Sequence, residues 1–218
     1  MQERISTTSR REREREQHRN DILDAAEEEF AKKGISNATI EDIAKRAEFS
    51  VGSIYNFFSN KDEVIRNVFR RLLNARISGV ERNVMPFISD PLKALEQLSY
   101  TWVRHYSEHF ALIRAGQILR SSLGKLDGDP VADKEIVSLL RELDEKTLSV
   151  FKEGVRQGIF HNIDPVLLVV MFYGICNSFS TYWKQIADTN SLELRHKELY
   201  KVMHFAITGH PPKEFDEK

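Results

Sequence analysis

Apolar residues recur along this chain every three to four positions and almost nowhere every second one. Ile22, Leu23, Ala26 and Phe30 do so, as do Val64, Ile65, Val68, Leu72 and Ile77, and later Ile136, Leu139, Leu140, Leu143 and Phe151. That spacing lines one face of an α-helix, whereas a half-buried strand needs strict alternation. No alternating run flanked by hairpin turns occurs, so a sheet is not the organising element. Ten glycines and six prolines among 218 residues leave few breaks. The expected fold class is therefore all-α. A 41% hydrophobic share is enough for a real core in one or two domains and argues against wholesale disorder.

Capping and breaking residues divide the chain. A first helix is expected from Gln17 to Lys33, stopped by Gly34. Thr39-Ile40-Glu41-Asp42 reads as a capping box that opens a short helix to Ala47. Ser50 opens another from Val51 to about Phe58, and Ser59 or Asn60 caps a fourth that starts near Lys61. Pro91 opens a longer helix, with a separate apolar-rich stretch from Phe110 to Leu119. Gly124 to Pro130 is the clearest loop. Helices follow from Val131 to Gln157, from Pro165 to about Ile186, and from Ser191 to about Ile207. Residues 1–16 are expected to be a flexible basic arm, although the alternating Arg-Glu stretch is able to extend the first helix.

Thr39 to Val64 carries the strongest functional signal. Two short helices joined by a tight turn, the second opening with small residues, describe a helix-turn-helix. A major groove ~12 Å wide admits a helix only where its first turn is slim. Val51, Gly52 and Ser53 supply that, while Ile54, Phe57 and Phe58 point back to hold the helix. Tyr55 can reach a phosphate through its hydroxyl, and Asn56 a base or phosphate. Lys61 and the adjoining free N–H groups offer an anion site, as do Thr39 and its helix start. The candidate DNA contacts are thus Thr39, Ser50, Val51, Gly52, Ser53, Tyr55, Asn56 and Lys61.

These residues resemble the DNA-binding domain of the tetracycline-repressor (TetR) family of bacterial transcription regulators. The pattern stands as Ile22-Leu23-Asp24-Ala25-Ala26, Phe30, Gly34, Thr39, Asp42-Ile43-Ala44, Ser50 through Phe58, and Lys61-Asp62. Glu48-Phe49 replaces the usual Gly-Val in the turn, and Ser53 replaces the common Thr, keeping the hydroxyl and losing a methyl. The resemblance implies an N-terminal three-helix DNA-binding domain, placed at 17–65. It further implies a C-terminal helical effector-binding and dimerisation domain, placed at 66–218. Phe151 to Phe179 resembles the late helices with which relatives form a dimeric four-helix bundle. The partners implied are double-stranded DNA with a palindromic operator, a second copy of the chain and a small effector. The function implied is ligand-responsive repression; activation, or regulation without a ligand, is the alternative.

Lys and Arg number 32 against 33 Asp and Glu, a balance that excludes a uniformly basic DNA coat. The charge is unevenly placed. Residues 1–20 carry net +2, residues 21–31 hold five acids and no base, and residues 32–71 carry net +3. An acidic back and a basic front would orient such a domain on DNA, with a gentle salt dependence.

For the second half, Trp102, His105, Tyr106, Arg114, Gln117, Arg120, Tyr173, Asn177 and Trp183 are the candidate effector-lining residues. The surrounding Leu, Ile, Val and Phe favour an apolar or amphipathic effector, acyl or aromatic, and the arginines an acidic head group. His105 and His109 share a helix face but lack a third ligand, so no metal or other cofactor is expected. No phosphate loop, nucleophile elbow or cysteine pair is present, which leaves a helical enzyme as a remote alternative. The lone Cys176 sits in an apolar helix and reads as inert core. The most apolar run, Val166 to Cys176, falls short of the ~20 residues a membrane span needs. With no secretory leader evident, a cytoplasmic location is expected.

Overall fold

The computed structural model describes residues 10–122, 134–185 and 191–212, and within them every side chain except those of 110, 111, 114–122, 184 and 185. The described residues form α1 (Arg10–Lys33), α2 (Ile40–Arg46), α3 (Val51–Tyr55), α4 (Lys61–Asn83), α5 (Pro91–Ser122), α6 (Lys134–Arg156), α7 (Pro165–Gln185) and α8 (Leu192–Thr208). A single 3-10 turn, Met85–Phe87, lies between α4 and α5. The all-α class is thus what the chain adopts.

The helix ends follow from local chemistry. Thr39 Oγ1 accepts from Asp42 N at 3.2 Å while Thr39 N donates to Asp42 Oδ2 at 3.1 Å, a complete capping box. Ser50 and Ser191 cap α3 and α8 by accepting from Ser53 N (3.0 Å) and Leu194 N (3.2 Å). Gly209 closes α8 with φ 81°, in the left-handed region glycine enters without strain.

Several boundaries differ from expectation. α1 begins at Arg10, so residues 10–16 are helix rather than arm, and residues 1–9 lie outside the described set. Side-chain pairs one turn apart support the extension: Arg10 Nε to Glu14 (2.7 Å) and Gln17 to Asp21 (2.8 Å). α3 stops at Tyr55 because Asn56 N and Phe57 N bond three residues back, to Ser53 O and Ile54 O, and tighten the chain into a turn. By contrast, the expected separation of the Phe110–Leu119 stretch holds, since non-helical dihedrals at His109 (φ −126°, ψ 26°) break α5 into two helical segments there. The expected loop Gly124–Pro130, the helix start at Val131 and the end at Ile186 lie outside the described residues.

Two compact units result, one of described residues 10–71 with 111–122, the other of 72–110 with 134–185 and 191–212. Within the first unit, the Arg71 guanidinium grips Asp24 (2.7 Å) and Glu27 (2.5 Å) of α1. Ile22, Ala26 and Phe30 of α1, Ile43 of α2, Ile54 of α3, Phe58, and Val64 and Val68 of α4 form the buried centre of this unit. In the second unit Leu95, Ile136, Val150, Phe151, Leu168, Phe172, Leu199 and Met203 are buried. Gly154 of α6 is required there: a β-carbon would stand 2.1 Å from the Phe160 ring.

Candidate nucleic-acid interface

Burial alternates along α3 as its register demands. Ile54 is fully buried and Phe58 nearly so, whereas Tyr55 is 51% exposed and Asn56 lies open beside it. Gly52 is exposed, and a β-carbon there would meet nothing nearer than Ser50 Oγ at 3.9 Å. Ser50 Oγ and Ser53 Oγ lie 2.7 Å apart, so each hydroxyl is already oriented by the other. Val51 and Ser53 are half-buried. Thr39 is exposed at the start of α2, its oxygen engaged as a cap.

Asn60 is the cap of α4, its Oδ1 accepting from Glu63 N at 2.9 Å. Ser59 N and Oγ both donate to Glu63 Oε2 at 2.7 Å, and these bonds hold the Glu63 carboxyl below its usual range. Lys61 Nζ donates to Ser36 O at 3.1 Å, which ties α4 to the α1–α2 loop and leaves further ammonium hydrogens for a ligand.

The basic front is smaller than the charge count implied. Lys33 pairs with Asp42 (2.6 Å), Arg46 with Glu28 and Glu29 (2.5 Å each), and Arg71 with Asp24 and Glu27. The Arg46 hydrogen bond holds the Glu29 carboxyl down, against the opposing effect of its burial. Asp24, Glu27, Glu28 and Glu29 are therefore paired with Arg46 or Arg71 and do not form a free acidic back, while Asp21 accepts from Gln17.

Sequence reasoning missed a cluster between α1 and the ends of α3. The His18 ring meets Phe49 edge-on at 5.2 Å and Phe57 at 6.5 Å. The guanidinium of Arg15 stands 5.9 Å from the centre of Phe57, and that of Arg19 5.2 Å from Phe58. Arg19 also donates to Asn67 Oδ1. The spacing of Arg15, His18, Arg19 and Ile22 on one helix face was the available signal.

In the second unit the candidate effector residues separate. Trp102 and Tyr106 are buried and stacked at 4.6 Å. Burial, aided by the charge of Arg76, pushes the His105 imidazole down to about 3, so it is neutral at physiological pH. Tyr173 lies beneath Arg76 (5.6 Å), with its hydroxyl 3.3 Å from both Thr147 Oγ1 and Asp144 Oδ1. Trp183 is buried and donates Nε1–H to Glu198 at 3.2 Å. Asn177, by contrast, lies on the exposed face of α7, lining an open groove with Ser178, Thr181 and Tyr182. Arg114, Gln117 and Arg120 fall instead on the part of α5 that belongs to the first unit, and their side chains lie outside the described residues. The His105 and His109 rings lie 5.0 Å apart, tilted by 52°, and among the described residues no group of three or more His, Cys, Asp or Glu side chains could hold a metal ion. Cys176 is fully buried, which pushes its thiol well above the usual range.

A capped three-helix head with an exposed second helix, joined to a larger helical body, defines a helix-turn-helix DNA-binding protein. Residues 22–68 match the family model of bacterial regulatory proteins of the tetR family. Over those residues the chain is similar to the DNA-binding domain of that family. It is 27% identical over 167 residues to the fatty acid metabolism regulator protein of Bacillus subtilis, covering 74% of this chain and 81% of that one. It is 25% identical over 193 residues to the transcriptional repressor KstR2 of Mycolicibacterium smegmatis, covering 87% and 90%. The fold is also that of FadR from Bacillus subtilis, solved in complex with stearoyl-CoA, with a TM-score of 0.68, 21% identity and coverage of 84% and 96%. These relatives are regulators of transcription, and this chain carries their helix-turn-helix.

Proposed function

We propose that the protein is a homodimeric, ligand-responsive transcriptional repressor that reads a palindromic operator through α3. One observation carries this: α3 exposes Gly52, Tyr55 and Asn56 on one side while Ile54 and Phe58 anchor the other in the core. Tyr55 and Lys61 contact phosphates, as does the start of α2 at Thr39. Val51, Gly52, Ser53 and Asn56 face the groove, and Ser50 shapes the first turn of α3.

Two heads need a two-fold axis, and the second unit offers an interface. Val166, Leu167 and Val170 of α7 are 51%, 54% and 61% exposed, and Phe205 of α8 is 59% exposed. The helix from Pro165 to Trp183 is apolar over 19 residues, so by length and composition it could cross a membrane, more than the shorter run Val166–Cys176 suggested. It carries a buried stripe (Leu168, Phe172, Cys176) opposite the exposed one, which suits packing against a second copy. The body would hold the effector near Trp102, His105, Tyr106 and Tyr173, an apolar or amphipathic molecule. A relative solved with stearoyl-CoA supports an acyl class. The effector releases DNA by binding more tightly to a conformer whose heads are spaced differently. No catalytic role is proposed, and the place of action is the cytoplasm, where the DNA is.

The test is duplex binding by Tyr55→Ala and Lys61→Ala. Loss of a hydrogen bond to a charged group is worth roughly 1.5–3 kcal/mol, so each variant binds at least about tenfold more weakly. Unchanged affinity in both would remove them from the interface.

A further inference from the structure

We propose that the first turns of α1 form a second DNA-backbone contact, with Arg11 and Arg15 on phosphates that flank the bases read by α3. This rests on the DNA-binding reading above and extends the surface beyond residues 22–68, the part that matches the family model.

The first observation is register. Arg11, Arg15, His18 and Ile22 are spaced four, three and four residues apart, so they lie in one row along α1. Ile22 is buried in the head, which fixes the direction that the row faces. The second is docking. Phe49 immediately precedes the Ser50 cap of α3, and Phe57 follows its last turn. His18 packs on both rings and Arg15 stands over Phe57, so the row runs alongside α3 rather than away from it. Phe49 occupies the position where the family pattern has the smaller Val. It supplies one of the two rings that hold His18.

The third observation is charge. Arg10 is paired with Glu14, but among the described residues neither Arg11 nor Arg15 makes an ion pair. Lys33, Arg46 and Arg71 are spent on acids of the head itself. Residues 10–18 are exposed throughout. Two exposed guanidinium groups about one helical turn apart, continuous with the α3 surface, fit an anionic backbone, which arginine binds in bidentate fashion. Such contacts position the protein and carry no sequence information.

The experiment starts from a duplex that wild-type protein enriches from a randomised library. Affinity for that duplex is then measured over a series of salt concentrations. Each lost phosphate contact removes about 0.9 from the slope of log affinity against log salt, so Arg11→Ala/Arg15→Ala loses about 1.8. Its hydroxyl-radical footprint shortens at the flanks while its base preference stays the same. Arg11→Lys/Arg15→Lys recovers most of the slope, which separates lost charge from a frayed helix. Arg10→Ala, on another face, leaves the slope unchanged. An unchanged slope and footprint in the double alanine variant overturns this proposal alone. Failure of the wild type to enrich any duplex overturns the DNA reading beneath it. If the double variant instead loses binding to acidic polypeptide and keeps its DNA slope, the row serves a protein partner and the proposal falls.

Discussion

At position 52 the fold itself makes no demand for glycine. A β-carbon there has open space around it, yet glycine inside a helix costs about 1 kcal/mol relative to alanine. On the proposed function, that space is kept for the DNA. Gly52→Ala is therefore expected to raise stability by up to ~1 kcal/mol in urea denaturation while weakening duplex binding. A variant that gained stability and bound as well as wild type would remove Gly52 from the interface. Glu48 is the opposite case. It sits at φ 60° in the turn between α2 and α3, the only non-glycine with positive φ among the described residues, and the family pattern has glycine there. A side chain held in that region costs roughly 1–3 kcal/mol. Glu48→Gly relieves it at some cost in unfolded-chain entropy, for a net gain of about 1 kcal/mol, read as a higher thermal midpoint with duplex affinity retained. A lower midpoint would show that the turn carries no strain. Both positions were legible in the sequence, Gly52 by its place in α3 and Glu48 by departing from a pattern. The fate of Lys33, Arg46 and Arg71 was not. Counting charges gives a net sign, but which acid each base meets is settled only by the packing of α1, α2 and α4.

Among the elements, the starts of helices with strong caps or prolines were placed within a residue or two, because Thr39, Ser50, Ser191 and Pro165 act through local hydrogen bonds and fixed dihedrals. The start of α1 was harder. Its first turns bury nothing, so apolar periodicity is silent there, and contacts such as the Arg10–Glu14 pair and Arg15 over Phe57 support them instead. On α7 the sequence showed apolarity nearly all round but not which side would face outward. The structure separates the two stripes, and the exposed one gives a direct prediction. Val170→Glu and Phe205→Glu place charges on surfaces already open in the single chain, so each protomer keeps its helicity. Sedimentation is expected to show a dimer for wild type and a monomer for the double variant, with duplex binding falling accordingly. A double variant that remained dimeric would move the interface away from α7 and α8.

For the whole molecule, the near-zero net charge conceals a head in which Lys33, Arg46 and Arg71 are internal ties, and the proposed DNA surface rests on a few groups: Tyr55, Asn56, Lys61 and the arginine row of α1. On that proposal recognition relies on shape, on two-fold repetition and on a limited number of phosphate contacts, so affinity is expected to depend strongly on dimer formation. The effector residues were the least legible. Trp102 and Tyr106 are buried and Tyr173 half-buried beneath Arg76, whereas Asn177 turned outward with the α7 groove, because helical register rather than residue type decides which side chains share a space. The most direct measurement of the central claim is selection of duplexes from a randomised library by the purified wild-type protein. The account predicts enriched sequences with two inverted half-sites one helical turn apart, ~34–36 Å centre to centre, or a multiple of that, bound by a dimer. Enrichment of no sequence, or of a single asymmetric site bound by one chain, would contradict it.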